Sequence, residues 1–189
     1  DLTVTGVQTC ALPICIKYGQ QNFMIAGGAE ELSVSEAVMF DVLYATSTKN
    51  KNPKQTPAPF DKNRDGVVIG EGAATLILEN LESAQERGAG IYAELVGYGA
   101  NSDGEHLTAP AVSGMKKAML LALEDANLTP EAIGYVNAHG TATEVGDIAE
   151  SEATWLVFGE HIPISSLKGH IGHTIDRKST RLNSSHSEI

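Results

Sequence analysis

Cysteine is nearly missing: the 189 residues contain two, Cys10 and Cys15. Two thiols at one margin of the chain make no disulfide framework, and a reducing compartment, the cytoplasm, is the expected setting. Positive charge is scarce as well. Thirteen Lys and Arg face 24 Asp and Glu, a formal net charge of −11, which excludes general binding to nucleic acid or to an anionic membrane surface. No apolar run approaches the ~20 residues of a membrane span, and none resembles a signal peptide. Aromatic residues make up only 5%. With 42% hydrophobic residues and 19 glycines, the composition is nonetheless that of a globular, Ala/Gly-rich chain rather than a disordered one.

The two ends are related in a way that folding does not explain. Residues 4–14 read VTGVQTCALPI and residues 176–186 read DRKSTRLNSSH. One set of codons for the first segment, taken as its reverse complement, encodes the second at all eleven positions, and that DNA resembles a sequencing-library adapter. Residues 1–14 and 176–189 are therefore set aside as non-native, like an expression scar. They are expected to make few core contacts, with Leu12 and Leu182 outside the core. About 160 residues remain, enough for one domain or for parts of two halves of a larger one.

Within that stretch, short apolar strands alternate with helices. FMIAGGAEEL (residues 23–32) reads as a buried strand running into a glycine turn, and residues 34–44 have helical apolar spacing. A polar loop with three prolines follows, STKNKNPKQTPAPFDKNRDG. Then come strand GAATLILENL, helix LESAQERG closed by Gly88, strand YAELVGYGA, loop NSDGEHLTAP and helix SGMKKAMLLALEDANL. Strand YVNAHG, a helix over residues 146–158 and strand IPISSL complete the order. Strands buried on both faces and alternating with helices indicate an α/β fold with a parallel or mixed sheet.

Three segments carry polar groups worth testing as sites. Asp61, Asn63 and Asp65 with Gly66 match the opening of a calcium-binding loop. The twelfth position, however, is Gly72 rather than Glu, and Pro57 and Pro59 spoil the entering helix; a tight structural loop whose acids cap backbone donors is favoured. His161, His170 and His173 could be read as a metal cluster, but no Asp, Glu or Cys at ligand spacing joins them, so no metal is expected. The third segment is NAHGTATEVGD. His139 stands where an apolar strand ends, the place where ligands gather in open α/β sheets, and Gly140 admits close approach to the backbone. Thr141 and Thr143 offer hydroxyls, and Asp147 and Glu150 begin the next helix, where carboxylates suit the dipole. A second strand ends in Lys168 and then Gly172-His173. Two strand-end histidines and a lysine together point to catalysis.

AGGAEE, PFDKNRDGVVIGEGA, YVNAHGTATEVGD and KGHIGHT stand in the order and spacing of the β-ketoacyl-acyl-carrier-protein synthases, the condensing enzymes of fatty-acid and polyketide assembly. The chain resembles this family throughout its native stretch. The resemblance implies the thiolase-like fold, a duplicated α/β/α/β/α sandwich present here incompletely. Residues 15–89 would end the N-terminal half, and residues 90–175 would start and carry on the C-terminal half. It implies a decarboxylative condensation of an acyl thioester with malonyl-acyl carrier protein, with no bound cofactor, the substrate riding on the carrier's phosphopantetheine arm. His139 and His173 match the pair that stabilises the enolate, so their ring nitrogens should lie within roughly 6 Å. Lys168 matches the lysine that balances charge. Asp147 and Glu150 match supporting acids, and Thr141, Thr143 and Thr108 the hydroxyls along the phosphopantetheine channel. By motif spacing the nucleophilic cysteine falls at residues 1–3, which hold none, so this stretch alone is not expected to complete the reaction. Two other readings are a chain-length-factor-like partner subunit without the cysteine, and a thiolase-type enzyme acting on coenzyme A esters. Expected partners are the acyl carrier protein and a second subunit, identical or related. Lys49, Lys51, Lys54, Lys62 and Arg64 form the densest basic cluster for steering an acidic carrier.

Overall fold

The computed structural model describes residues 11–104 and 109–175, without the side chains of residues 11 and 12. Thr108, Leu182 and the side chain of Leu12 therefore lie outside the described residues. Helix α1 (Ala11–Lys17) begins inside the segment set aside above and runs across its boundary into the native stretch.

Strand β1 (Phe23–Glu30) pairs antiparallel with β2 (Gly72–Glu79), Phe23 opposite Glu79 and Glu30 opposite Gly72. Between them lie α2 (Val34–Val42) and the proline-containing loop. α2 starts where the sequence supplies a capping box. Ser33 Oγ accepts from Glu36 N at 3.3 Å, and the Glu36 carboxylate accepts from Ser33 N at 3.4 Å, so two orphan amides are satisfied reciprocally. After β2 comes the short α3 (Leu81–Glu86), capped by Asn80.

The second half is a β–α–β unit preceded by a helix. α4 (Val112–Ala126) buries Ala118, Met119, Ala122 and Leu123 along one stripe and stops at Asn127, whose left-handed backbone ends the helix. β3 (Val136–Asn137) and β4 (Ile164–Ser165) pair parallel, Val136 beside Ile164, with α5 (Glu144–Phe158) as the crossover. α4 and α5 pack on each other, and each buries small residues, Ala118 and Ala122 on one and Ala149 and Ala153 on the other. The same inner side of α5 buries Asp147, Glu150 and Thr154. Carboxylates in that position need partners, and the site provides them.

Some expectations are corrected. FMIAGGAEEL, read as a buried strand, forms β1 with Phe23 and Ile25 exposed and Ala26 alone fully covered. YAELVGYGA, read as a strand, has no regular secondary structure, and Ile91, Tyr92, Leu95 and Val96 are exposed. Its glycines are pressed against α4 instead. A Cβ on Gly97 would stand 2.4 Å from Ala122 O, and one on Gly99 2.2 Å from Ala118 O. The segment serves the helix by its bare backbone, which alternation of apolar residues does not report.

The halves meet through residues 66–70. Val67 makes a parallel bridge to Thr46, and Ile69 makes one to His173. Gly66 N donates to Ala142 O at 2.9 Å, His173 N to Val68 O at 2.7 Å, and Gly70 N to His173 O at 3.0 Å.

Candidate active site

His139 and Gly140 leave the end of β3, and Glu150 reaches back from α5 to meet them. Its Oε1 accepts from His139 N at 2.7 Å and its Oε2 from Gly140 N at 2.7 Å. One carboxylate thus holds two successive amides. From the other side Lys168 Nζ donates to His139 O at 2.5 Å, and Ser166 Oγ lies 3.2 Å from His139 O and 3.0 Å from Gly140 O. Lys168 is buried although charged; it opens α6 (Lys168–Ile171), a single turn following β4 rather than the strand end expected for it. Gly172 closes that turn and delivers His173 to the bridge with Ile69.

The two imidazoles meet there. The centroids of His139 and His173 are 5.4 Å apart and their planes are perpendicular at 88°. Phe40 of α2 stands 6.3 Å from the His173 ring, and His173 is buried. Two imidazoles at this separation can each donate an N–H to one oxygen placed between them, in a setting with little competing water.

Asp147 holds the neighbouring loop. Its Oδ2 accepts from Phe60 N at 2.7 Å and its Oδ1 from Ala142 N at 3.1 Å, with Arg64 Nε 3.8 Å away. Burial pushes its carboxyl above the usual aspartate range, more than the amide bonds and the Arg64 charge pull it down. Glu150 is raised in the same way. Burial dominates, the amides of Gly140 and His139 and the charge of Lys168 oppose it, and the Asp147 charge adds to it. Thr141 and Thr143 are half-buried beside this pair, their hydroxyls 2.9 Å apart.

Of the expected site residues, His139, His173, Lys168, Glu150, Asp147, Thr141 and Thr143 therefore fall in one region, and Thr108 is outside the described residues. His161 and His170 are exposed. The expected basic cluster is smaller than it reads in sequence. Lys49 Nζ bonds to Asn63 O and lies 3.4 Å from Asp65, while Arg64 is spent on Asp147 and on the carbonyls of Asp61, Thr143 and Glu144. Only Lys51, Lys54 and Lys62 of the five are exposed. Asp65 does cap donors as its loop suggested, taking Ser47 Oγ at 2.9 Å and Thr48 N at 2.9 Å. Ser166 and the Phe60 amide escaped the sequence reading altogether. The paired serines ahead of Lys168 were the one available signal.

The chain that carries this histidine pair and buried lysine belongs to the β-ketoacyl synthase family. Residues 11–84 match the N-terminal domain of beta-ketoacyl synthase and residues 92–177 its C-terminal domain. Among curated relatives, the 3-oxoacyl-[acyl-carrier-protein] synthase 2 of Vibrio harveyi is 44% identical over 167 residues, covering 85% of this chain and 40% of that protein. A crystal structure of a beta-ketoacyl synthase from Burkholderia phymatum is 59% identical with a TM-score of 0.86, over 88% of this chain and 41% of the other. The AntDE:AntF structure, a type II polyketide acyl-carrier protein in complex with its ketosynthase bound to the hexaketide, is 38% identical with a TM-score of 0.85, covering 92% of this chain and 45% of that one. The fold is thus the thiolase-like ketosynthase fold in part, and the chain spans about 40% of the length of the curated relatives it matches.

Proposed function

We propose that this chain is the part of a 3-oxoacyl-acyl-carrier-protein synthase that carries its decarboxylation centre. The observation that carries the reading is the perpendicular pair of His139 and His173, 5.4 Å between centroids, with the buried Lys168 bonded to the His139 carbonyl. In the proposed reaction the malonyl thioester loses carbon dioxide, and the electron pair of the broken C–C bond forms an enolate. The two imidazole N–H groups hold its oxygen. The enolate carbon then attacks an acyl thioester carried on a cysteine, and the thiolate leaves. That cysteine lies upstream of the motifs present here, at the positions taken by residues 1–3; Cys15, on α1, does not have its spacing. Lys168 balances the charge that builds at His139, while Glu150 and Asp147 hold the two loops. Thr141, Thr143 and Thr108 line the path of the phosphopantetheine arm, which belongs to the substrate; no further cofactor is needed. Residues 15–89 and 90–175 divide between the two halves of the fold. The complete enzyme works in the cytoplasm as a dimer of like or related subunits.

The test is carbon dioxide release from labelled malonyl-acyl carrier protein by the full-length protein containing this segment. His139→Ala and His173→Ala are each expected to slow release by roughly 10²–10³-fold, the scale of losing one oxyanion donor. Release unaffected by both substitutions would sink the reading.

The acidic carrier is placed on the exposed lysines of the 47–66 loop. Replacing Lys51, Lys54 and Lys62 together with glutamine is expected to raise the Michaelis constant for carrier protein several-fold at low salt, with the difference fading near physiological ionic strength as screening sets in. A constant that stays the same at low salt removes this surface from the docking site.

A further inference from the structure

We infer that Ser166 is a positioning residue for His139, and that its hydroxyl is the rigid member of the clamp that sets where the imidazole stands. The kinetic part of this inference rests on the reaction proposed above; the structural part does not.

A serine hydroxyl has one proton and two lone pairs. At Ser166 the proton and one lone pair are used on the site. The proton is shared between His139 O at 3.2 Å and Gly140 O at 3.0 Å, and a lone pair takes Lys168 N at 3.3 Å. The neighbouring Ser165 turns the other way, is exposed, and bonds to Tyr135 at 2.6 Å, as the two-residue period of a strand dictates. The pair of serines thus divides its work between the site and the surface.

Three groups meet at the peptide that follows His139: Glu150 on its N–H, and Lys168 and Ser166 on its C=O. Lysine holds by a flexible four-carbon stem. Serine holds by a single rotor whose Cα is fixed at the end of β4. Gly140 makes this possible, because a Cβ there would come within 2.4 Å of Ser166 Cβ and 2.9 Å of its Oγ. Ser166 also receives the first amide of the turn that carries Lys168, so one side chain fixes both the lysine's origin and the carbonyl to which it reaches. Without the hydroxyl, the His139 carbonyl keeps the lysine on its flexible stem and loses the serine's fixed rotor. The imidazole then shifts with its backbone, and small displacements of a positioned group are costly in rate.

The test compares wild type, Ser166→Ala and Ser165→Ala in the full-length protein. It reads malonyl-carrier decarboxylation, thermal midpoint, and the ring resonances of His139 with labelled histidine. Ser166→Ala is expected to lower kcat by roughly 10–100-fold with KM within about twofold, and to move the His139 resonances while the protein stays folded. Ser165→Ala keeps the wild-type kcat. The inference is overturned by an unchanged kcat in folded Ser166→Ala, by an equal loss in Ser165→Ala, or by a loss that tracks the thermal midpoint with the His139 resonances in place. If the wild type itself releases no carbon dioxide, the proposed reaction fails and the resonances alone decide: unmoved signals in Ser166→Ala overturn the positioning role.

Discussion

Asp147→Ala is expected to lower the stability of the full-length protein by about 3–5 kcal/mol, the usual cost of removing one member of a buried charged pair. Asp147 is 1% exposed, and its two oxygens are the acceptors for Phe60 N and Ala142 N. Alanine would leave both amides unsatisfied inside the protein, at about 1–3 kcal/mol each, and would leave Arg64 facing an empty space. Arg64 itself stays in place, because the carbonyls of Asp61, Thr143 and Glu144 still hold it; that makes its unbalanced charge harder to relieve. Asp147→Asn keeps one acceptor and should cost less. It should also change how stability follows pH. Burial raises the Asp147 pKa, so ionisation disfavours the folded state. Its contribution is fully present below the unfolded value, about pH 4, and is lost as pH rises through the higher folded value. Asparagine does not titrate, so the variant's stability should fall less than the wild type's as pH rises from 4. Urea midpoints at several pH values read both effects, and an unmoved midpoint in Asp147→Ala would show that the loops hold without it.

Gly140→Ala is expected to cost about 2–5 kcal/mol and to abolish the site with it. Two separate penalties add. The backbone there has φ +43°, a left-handed conformation that costs an ordinary residue roughly 1–2 kcal/mol. The new methyl would also lie 2.4 Å from Ser166 Cβ and 3.0 Å from Phe60 Cε2, an overpacking worth about 1–3 kcal/mol. The double variant Gly140→Ala with Ser166→Gly separates them, since it removes the atom struck and keeps the strained φ. Denaturation of the set should show partial recovery in the double variant. Full additivity of the two losses would mean that Ser166 is not what the methyl meets.

The histidine pair was legible in the sequence because its residue types sit beside glycines at apolar segment ends and within motifs of known spacing. So were the helices α2 and α4, whose apolar spacing is a local pattern. What stayed hidden was whatever depended on distant backbone. Lys49 and Arg64 read as surface charge, since nothing within the loop announces that Asp65 and Asp147 will claim them. The 92–100 segment read as a strand from its alternating apolar residues, whereas the packing of Gly97 and Gly99 on α4 is written in the partner's small side chains. Ser166 left only a doubled serine ahead of Lys168, a weak sign for a side chain that contacts residues in a different strand.

Residues 66–70 receive the loop of one histidine at Ala142 and the backbone of the other at His173, although the chain places these segments far apart. Closing so long a loop carries an entropy cost that is recovered only when the contact forms, and such contacts come late in folding. The α4–α5 packing and the capped helices are local and are expected to form first, and the meeting of the imidazoles to wait for residues 66–70 to dock. During synthesis on the ribosome residues 66–70 emerge before either histidine, and the two rings can meet only after His173 has followed. A partly folded intermediate would therefore carry secondary structure without the paired imidazoles.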